Sequence, residues 1–276
     1  MSALAVRHPA VAGQFYPAQP EVLERELDQH LAAPASPEPE FSQALGCLVP
    51  HAGYRYSGAV AGAVYRRLPP RPVYIVIGPN HFGRGSPLAQ MSEGSWLTPL
   101  GEVPLNPALA RVLHVAFPAV TDDAFAHATE HSLEVQIPFL QRRAGAFSLL
   151  PVAVSVGDYA TLESLGHAVA RAVRSSAEPA LVVASSDLSH YEPDEVTRVV
   201  DRKAIDRMLD LDALGLYETV LRERISMCGF GPAVAMLTAA HDLGATRAEL
   251  VKYATSADAG GPRNRVVGYA GIVVSS

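Results

Sequence analysis

The sequence predicts an α/β fold: one domain, residues 1–276, built on a central mixed sheet flanked by helices. Short apolar runs bounded by Pro and Gly alternate with segments of helical periodicity along the whole chain, the pattern of a sheet covered on both faces. Three of these runs end in a turn that carries a histidine, at Leu48-Val49-Pro50-His51, Ile77-Gly78-Pro79-Asn80-His81 and Ala184-Ser185-Ser186-Asp187-Leu188-Ser189-His190. With 49% of 276 residues hydrophobic and 18% charged, the chain can bury a large core, and no Ser/Gly-rich linker divides it.

Taken in order, residues 20–31 place Val22, Leu23, Leu27 and Leu31 at helical spacing among acids, an amphipathic surface helix. The Pro-rich stretch 33–40 reads as a surface loop. A strand at 44–49 leads through the His51 turn to a helix over 57–68, with Ser57 as its N-cap. A second strand at 73–77 runs into the Asn80-His81 turn. The Gly, Pro and Thr of 89–105, around Trp96, suggest irregular strands or a hairpin. Helices are expected at 107–115 and 132–143, the latter with Glu130 and Glu134 at its positive end. A strand at 148–154, a helix at 159–173 and the third histidine-bearing strand at 181–184 follow. Helices at 194–210, 211–222 and 231–243 and strands at 250–254 and 266–274 complete the chain. Strand order is not legible from this pattern.

Composition excludes several classes of function. The net charge is −6 and the arginines are scattered, so there is no continuous basic face for nucleic acid. No apolar run approaches a membrane span, and residues 1–16, interrupted by Arg7 and Pro9, lack the apolar core of a signal peptide. A soluble, cytoplasmic protein is expected. Cys47 and Cys228 are too few for a disulfide framework and suit a reducing compartment. Gly83-Arg84-Gly85 is too short for a phosphate-binding loop.

Loops at the carboxyl ends of strands are where open α/β sheets bind ligands, so the three histidine turns suggest one shared site. Cys228 sits in the Gly-flanked turn Ser226-Met227-Cys228-Gly229-Phe230-Gly231-Pro232. Two imidazoles and a thiolate leave room for water or substrate on a metal, and they suit iron, copper or zinc rather than magnesium or calcium. Asp187 can orient an imidazole or take part in proton transfer. Against this, a lone histidine after a strand is most often a turn or hydrogen-bonded structural group, and an isolated cysteine is usually a small buried residue. Cys47, inside an apolar strand, fits that description and is left out of the site. His127, Glu130, His131 and Glu134 form a second cluster with histidines at i and i+4, but HExxH is absent and a polar helix entry is the more economical account, with a reach of Glu130 and His131 to the site left open. Met227 beside Cys228 suggests an axial thioether for copper, although adjacent residues usually point apart.

Several motifs occur together: Pro50-His51-Ala52-Gly53-Tyr54 with Tyr56-Ser57-Gly58, Gly78-Pro79-Asn80-His81, Glu130-His131-Ser132-Leu133-Glu134, Ser185-Ser186-Asp187-Leu188-Ser189-His190-Tyr191 and Cys228-Gly229. With Pro9-Ala10-Val11-Ala12-Gly13-Gln14-Phe15-Tyr16-Pro17 and Val267-Gly268-Tyr269-Ala270, the chain resembles the MEMO family, whose prokaryotic members are called AmmeMemoRadiSam system protein B. The resemblance implies a fold related to class III extradiol ring-cleaving dioxygenases, which hold non-haem iron(II) with two histidines and a carboxylate. It implies His51, His81 and Cys228 as metal ligands, with the cysteine standing where those enzymes place the carboxylate. It also implies His190 as the acid/base histidine with Asp187 beside it. A thiolate donates more charge to iron and is itself oxidisable, so oxygen chemistry can turn on the ligand. Iron(II) is the leading cofactor, with copper or zinc as alternatives. The family name implies a radical SAM partner protein. Three functions are open: a redox or oxygen-dependent metalloprotein acting on an unidentified small molecule, a non-catalytic adaptor with a vestigial pocket, and a zinc hydrolase with His190 as base.

Overall fold

The computed structural model describes residues 5–32 and 41–276, so the expected loop at 33–40 lies outside the described residues. The chain runs β1 (Val6–Arg7), α1 (Pro20–Leu31), β2 (Ala44–Val49), α2 (Tyr54–Tyr65), β3 (Val73–Pro79), β4 (Leu88–Gln90), β5 (Ser95–Thr98) and β6 (Gly101–Pro104). Then come α3 (Pro107–Ala116), β7 (Thr121–Asp122), α4 (Ala124–His127), α5 (Ile137–Ala144), β8 (Ser148–Val154), α6 (Tyr159–Ser175), β9 (Ala180–Ser185) and β10 (His190–Glu192). Helices α7 (Asp194–Leu209), α8 (Ala213–Glu223) and α9 (Phe230–Asp242) precede β11 (Arg247–Thr255) and β12 (Val266–Ser275).

Among the described residues the main sheet is mixed and has nine strands, in the order β10-β12-β2-β9-β3-β8-β4-β7 with β11 added beside β12. Its centre, β2, β9, β3 and β8, is parallel, while β12 and β4 pair antiparallel to it. A small second sheet joins β1, β5 and β6. The central strands are apolar on both faces because both faces are buried. Leu48, Ile75, Ile77, Val182 and Ala184 point into one core, with α3, α6 and α9. Their alternating neighbours Cys47, Val49, Tyr74, Val76, Leu181 and Val183 point into the other, with α1, α2 and α5.

Register is what builds the site. Val49 pairs with Ser185, and Ile77 pairs with Ala184, so β2, β9 and β3 finish at the same level. The turns after them, carrying His51, Asp187 and His81, therefore open on one edge of the sheet.

Two expected boundaries move for local reasons. Helix α2 starts at Tyr54 rather than at Ser57, with Gly53 as its N-cap. Ser57 lies inside its first turn, where the hydroxyl donates back to the Ala52 carbonyl at 2.8 Å. The helix expected from 132 is α-helical only from Ile137, after one 3-10 turn at Glu134–Gln136. Upstream, the Ser132 hydroxyl donates to the Pro79 carbonyl at 2.8 Å and its backbone N–H to Glu130 Oε1 at 2.8 Å, tying this stretch to the end of β3. The irregular 89–105 region resolves into β4 and a β5–β6 hairpin. The two-residue β1 and β7, four-residue α4 and three-residue β10 are too short to leave a periodic signal.

Candidate metal centre

His51, His81 and Cys228 converge, with their ligand atoms all within 4.8 Å of one another. His51 is buried, its Nε2 lies 3.2 Å from Cys228 Sγ, and its ring meets that of His81 edge-on at 5.2 Å between centroids. Each imidazole is held through its other nitrogen. Ser185 Oγ donates its single proton to the Ser132 carbonyl at 2.6 Å and accepts from Gln136 Nε2 at 2.8 Å. Its 3.0 Å contact with His51 Nδ1 must then have the imidazole as donor, which leaves the Nε2 lone pair facing the cysteine. His81 Nδ1 lies 2.9 Å from the Glu130 carboxylate, which accepts only, so Nδ1 is the donor and Nε2 is the nitrogen turned to the site. This arrangement of orienting partners is the usual one around metal-binding histidines, so the donor set fits a soft transition metal.

The glycine after the cysteine has a steric cause. A Cβ on Gly229 would run into the Ser185 carbonyl oxygen, and the Gly229 N–H donates to Ser186 Oγ at 2.9 Å. Only glycine lets the cysteine turn lie this close to the end of β9.

His190 and Asp187 stand at the same place. The His190 backbone N–H donates to Ser226 Oγ at 2.7 Å, and its Nδ1 lies 2.9 Å from the Ser226 carbonyl, so Nδ1 is a donor and Nε2 is the nitrogen left for other contacts. Asp187 Oδ1 accepts from the His51 backbone N–H at 2.8 Å, so this carboxyl fixes the His51 turn through its backbone. Burial pushes the Asp187 carboxyl up to about 6, against the pull of the His51 amide and the His190 and His81 imidazoles. Burial, followed by repulsion from His81, His131 and His190, holds His51 neutral well below the ordinary histidine range. Burial also raises the Cys228 thiol, and the nearby Asp187 adds to it, so a cation is what would draw off its proton.

The second cluster divides. Glu130 is fully buried and accepts from His81 N at 2.6 Å. Burial alone would raise its carboxyl, but His81, the Ser132 amide and His131 outweigh that and hold it down to about 2. His131 stacks on His81 at 4.6 Å and faces His51 edge-on at 5.5 Å. These two residues therefore reach the site, and a polar helix entry does not account for them. His127 points elsewhere, against Trp96. Met227 is buried in the core and Cys47 within β2. Gln136 was not among the expected site residues. Its only sequence signal is that it is a polar residue inside the helix predicted at 132–143, and nothing local shows that it bridges to Ser185.

The fold and this cluster define an α/β protein with an imidazole and thiol donor set at the carboxyl edge of a mixed sheet. The model of the family described as "Memo-like protein" matches residues 7–273, and the chain belongs to that family. A MEMO1 family protein of Methanosarcina barkeri is 44% identical over 270 residues, covering 98% of this chain and all of its own. Relatives of the same description in Pyrobaculum arsenaticum and Methanothermobacter thermautotrophicus are 43% and 39% identical, covering 98% and 96% of this chain and 99% of each relative.

Proposed function

We propose that the protein binds a redox-active transition metal, iron(II) foremost, through His51, His81 and Cys228, and acts on a small molecule in a pocket like that of the class III extradiol dioxygenases. The observation that carries this reading is the 3.2 Å approach of His51 Nε2 to Cys228 Sγ, with His81 within reach and each histidine locked through Nδ1. When bound, the metal supplies one-electron chemistry and open coordination positions beside three protein donors. Around it, Glu130 and Ser185 set the tautomers of the two imidazoles, and Asp187 holds the His51 backbone in place. His190, partly exposed and with Nε2 free, takes or returns a proton on the substrate. Copper and zinc suit the same donors, and metal analysis separates the three.

The test is elemental analysis after anaerobic purification without a metal-binding tag, on the wild type and on Cys228→Ser. About one metal per chain is expected in the wild type and loss of most of it in the variant. Metal that survives simultaneous replacement of His51, His81 and Cys228, or a folded wild type that takes up no added metal, overturns the reading.

A further inference from the structure

Three exposed arginines flank the site histidines, two on the segments that carry His51 and His81 and the third beside the strand paired with that of His190. Arg55 lies four residues past His51, Arg84 three past His81, and Arg265 two before Val267, the cross-strand partner of His190. Chain reach alone keeps the first two within about 14 Å of their histidines. Each guanidinium lies over an exposed aromatic ring: Arg55 over Tyr56 at 5.5 Å, Arg84 over Phe82 at 5.8 Å and Arg265 over Tyr191 at 4.5 Å. Arg84 donates to Thr129 Oγ1 at 3.2 Å, and none of the three is ion-paired to a carboxylate among the described residues. In a chain of net charge −6, nearby Arg198 and Arg263 are both committed to Asp194.

Stacking occupies the face of a guanidinium and leaves its N–H edge free, and that edge is the part which grips a carboxylate or phosphate in bidentate fashion. Phe82 and Tyr191 are still 55% and 61% exposed with a guanidinium over each ring, so part of each aromatic side chain remains accessible directly after His81 and His190. Tyr191 is also strained, with φ +66° at a register shift between His190 and Glu192. A bulky residue in the left-handed region persists only where its surroundings hold it, and such outliers gather at ligand sites.

We propose that the sheet edge around the His51/His81/Cys228 cluster binds a flat organic anion, with Arg55, Arg84 and Arg265 holding the charge and Phe82 and Tyr191 the flat face. The inference rests on the proposed function in that it places this ligand beside the His51/His81/Cys228 cluster, and it names the class of molecule presented there.

The probes are benzoate, its neutral isostere benzamide, and inorganic phosphate, each titrated at low ionic strength into the full chain and followed by amide chemical shifts. Benzoate is expected to bind roughly tenfold more tightly than benzamide and than phosphate. The double variant Arg84→Gln/Arg265→Gln brings benzoate down to the level of benzamide. Tyr191→Gly raises the unfolding midpoint by relieving the backbone and weakens benzoate several-fold, a pair of opposite effects that a merely structural tyrosine would not show. Equal binding of benzoate and benzamide, no shift with either, phosphate binding as tightly as benzoate, or an unchanged double variant each overturns the proposal. Metal content is measured on the same samples, because the arginines are not among the donors. Metal retained without anion discrimination defeats this inference alone, and discrimination by a chain that takes up no metal supports it while defeating the metal reading.

Discussion

The two histidines at i and i+4 show how far apart neighbouring residues can be in role. His131 stacks on His81, whereas His127 is fully buried beside Trp96, at 5.6 Å between ring centroids, with neither ring nitrogen hydrogen-bonded. Burial, then the Arg7 guanidinium, pushes the His127 imidazole down to about 4, and the Ala89 backbone opposes this from outside hydrogen-bond geometry. A histidine depressed in the folded state takes up its proton first in the unfolded chain. Its effect on stability is therefore absent above the ordinary value near 6.5 and grows as a penalty while pH falls from there to about 4, reaching on the order of 3 kcal/mol. Asp187, raised by burial, works in the opposite sense in an overlapping window. Only a difference between variants isolates His127. We expect His127→Phe, which leaves no ring nitrogen to protonate, to be close to wild type in urea at pH 7.5 and clearly more stable than wild type at pH 5. Equal differences at the two pH values would show that His127 does not titrate in this window.

At the scale of elements, the N-terminal stretch acts as a brace behind the site. Arg7, on β1, donates to Glu134 at 2.6 Å, to the His127 carbonyl at 2.9 Å and to the Glu130 carbonyl at 2.7 Å, and it stacks on Trp96. Glu134 also accepts from the Ala10 and Val11 amides and the Tyr16 hydroxyl. This buried network fixes the segment from which Glu130 reaches His81. Removing one member of a buried pair strands the other charge, so Arg7→Ala is expected to cost about 3–5 kcal/mol in urea unfolding. Arg7→Met combined with Glu134→Gln removes both charges and should recover a substantial part of that loss. A single variant within 1 kcal/mol of wild type, on the about 1 kcal/mol scale of exposed pairs, would mean that the pair behaves like a surface contact.

For the whole molecule, both hydrophobic cores are faces of the same strands, with Leu48 in one and Cys47 in the other. Neither core can be lost while the other keeps its sheet. We expect one cooperative transition, in which helical circular dichroism and the fluorescence of Trp96, the single tryptophan, fall together. Separated midpoints would show that the two faces unfold independently. Among the described residues no helix is long and apolar enough to cross a membrane.

The sequence by itself determined the α/β class and most element positions, because apolar periodicity and turn residues act over a few neighbours, and it marked His51, His81, His190, Asp187 and Cys228 as candidates at strand ends and turns. Family motifs supplied the rest of that reading. Tertiary structure alone decided the strand order, the common level at which β2, β3 and β9 end, and the approach of residues 51 and 228 across the sheet edge. It also decided which nitrogen each histidine offers, since the groups that settle it, Ser185, Gln136 and Glu130, lie far along the chain from the rings they orient. Hydrogen bonds of that kind depend on register and packing between distant strands, and no local pattern encodes them.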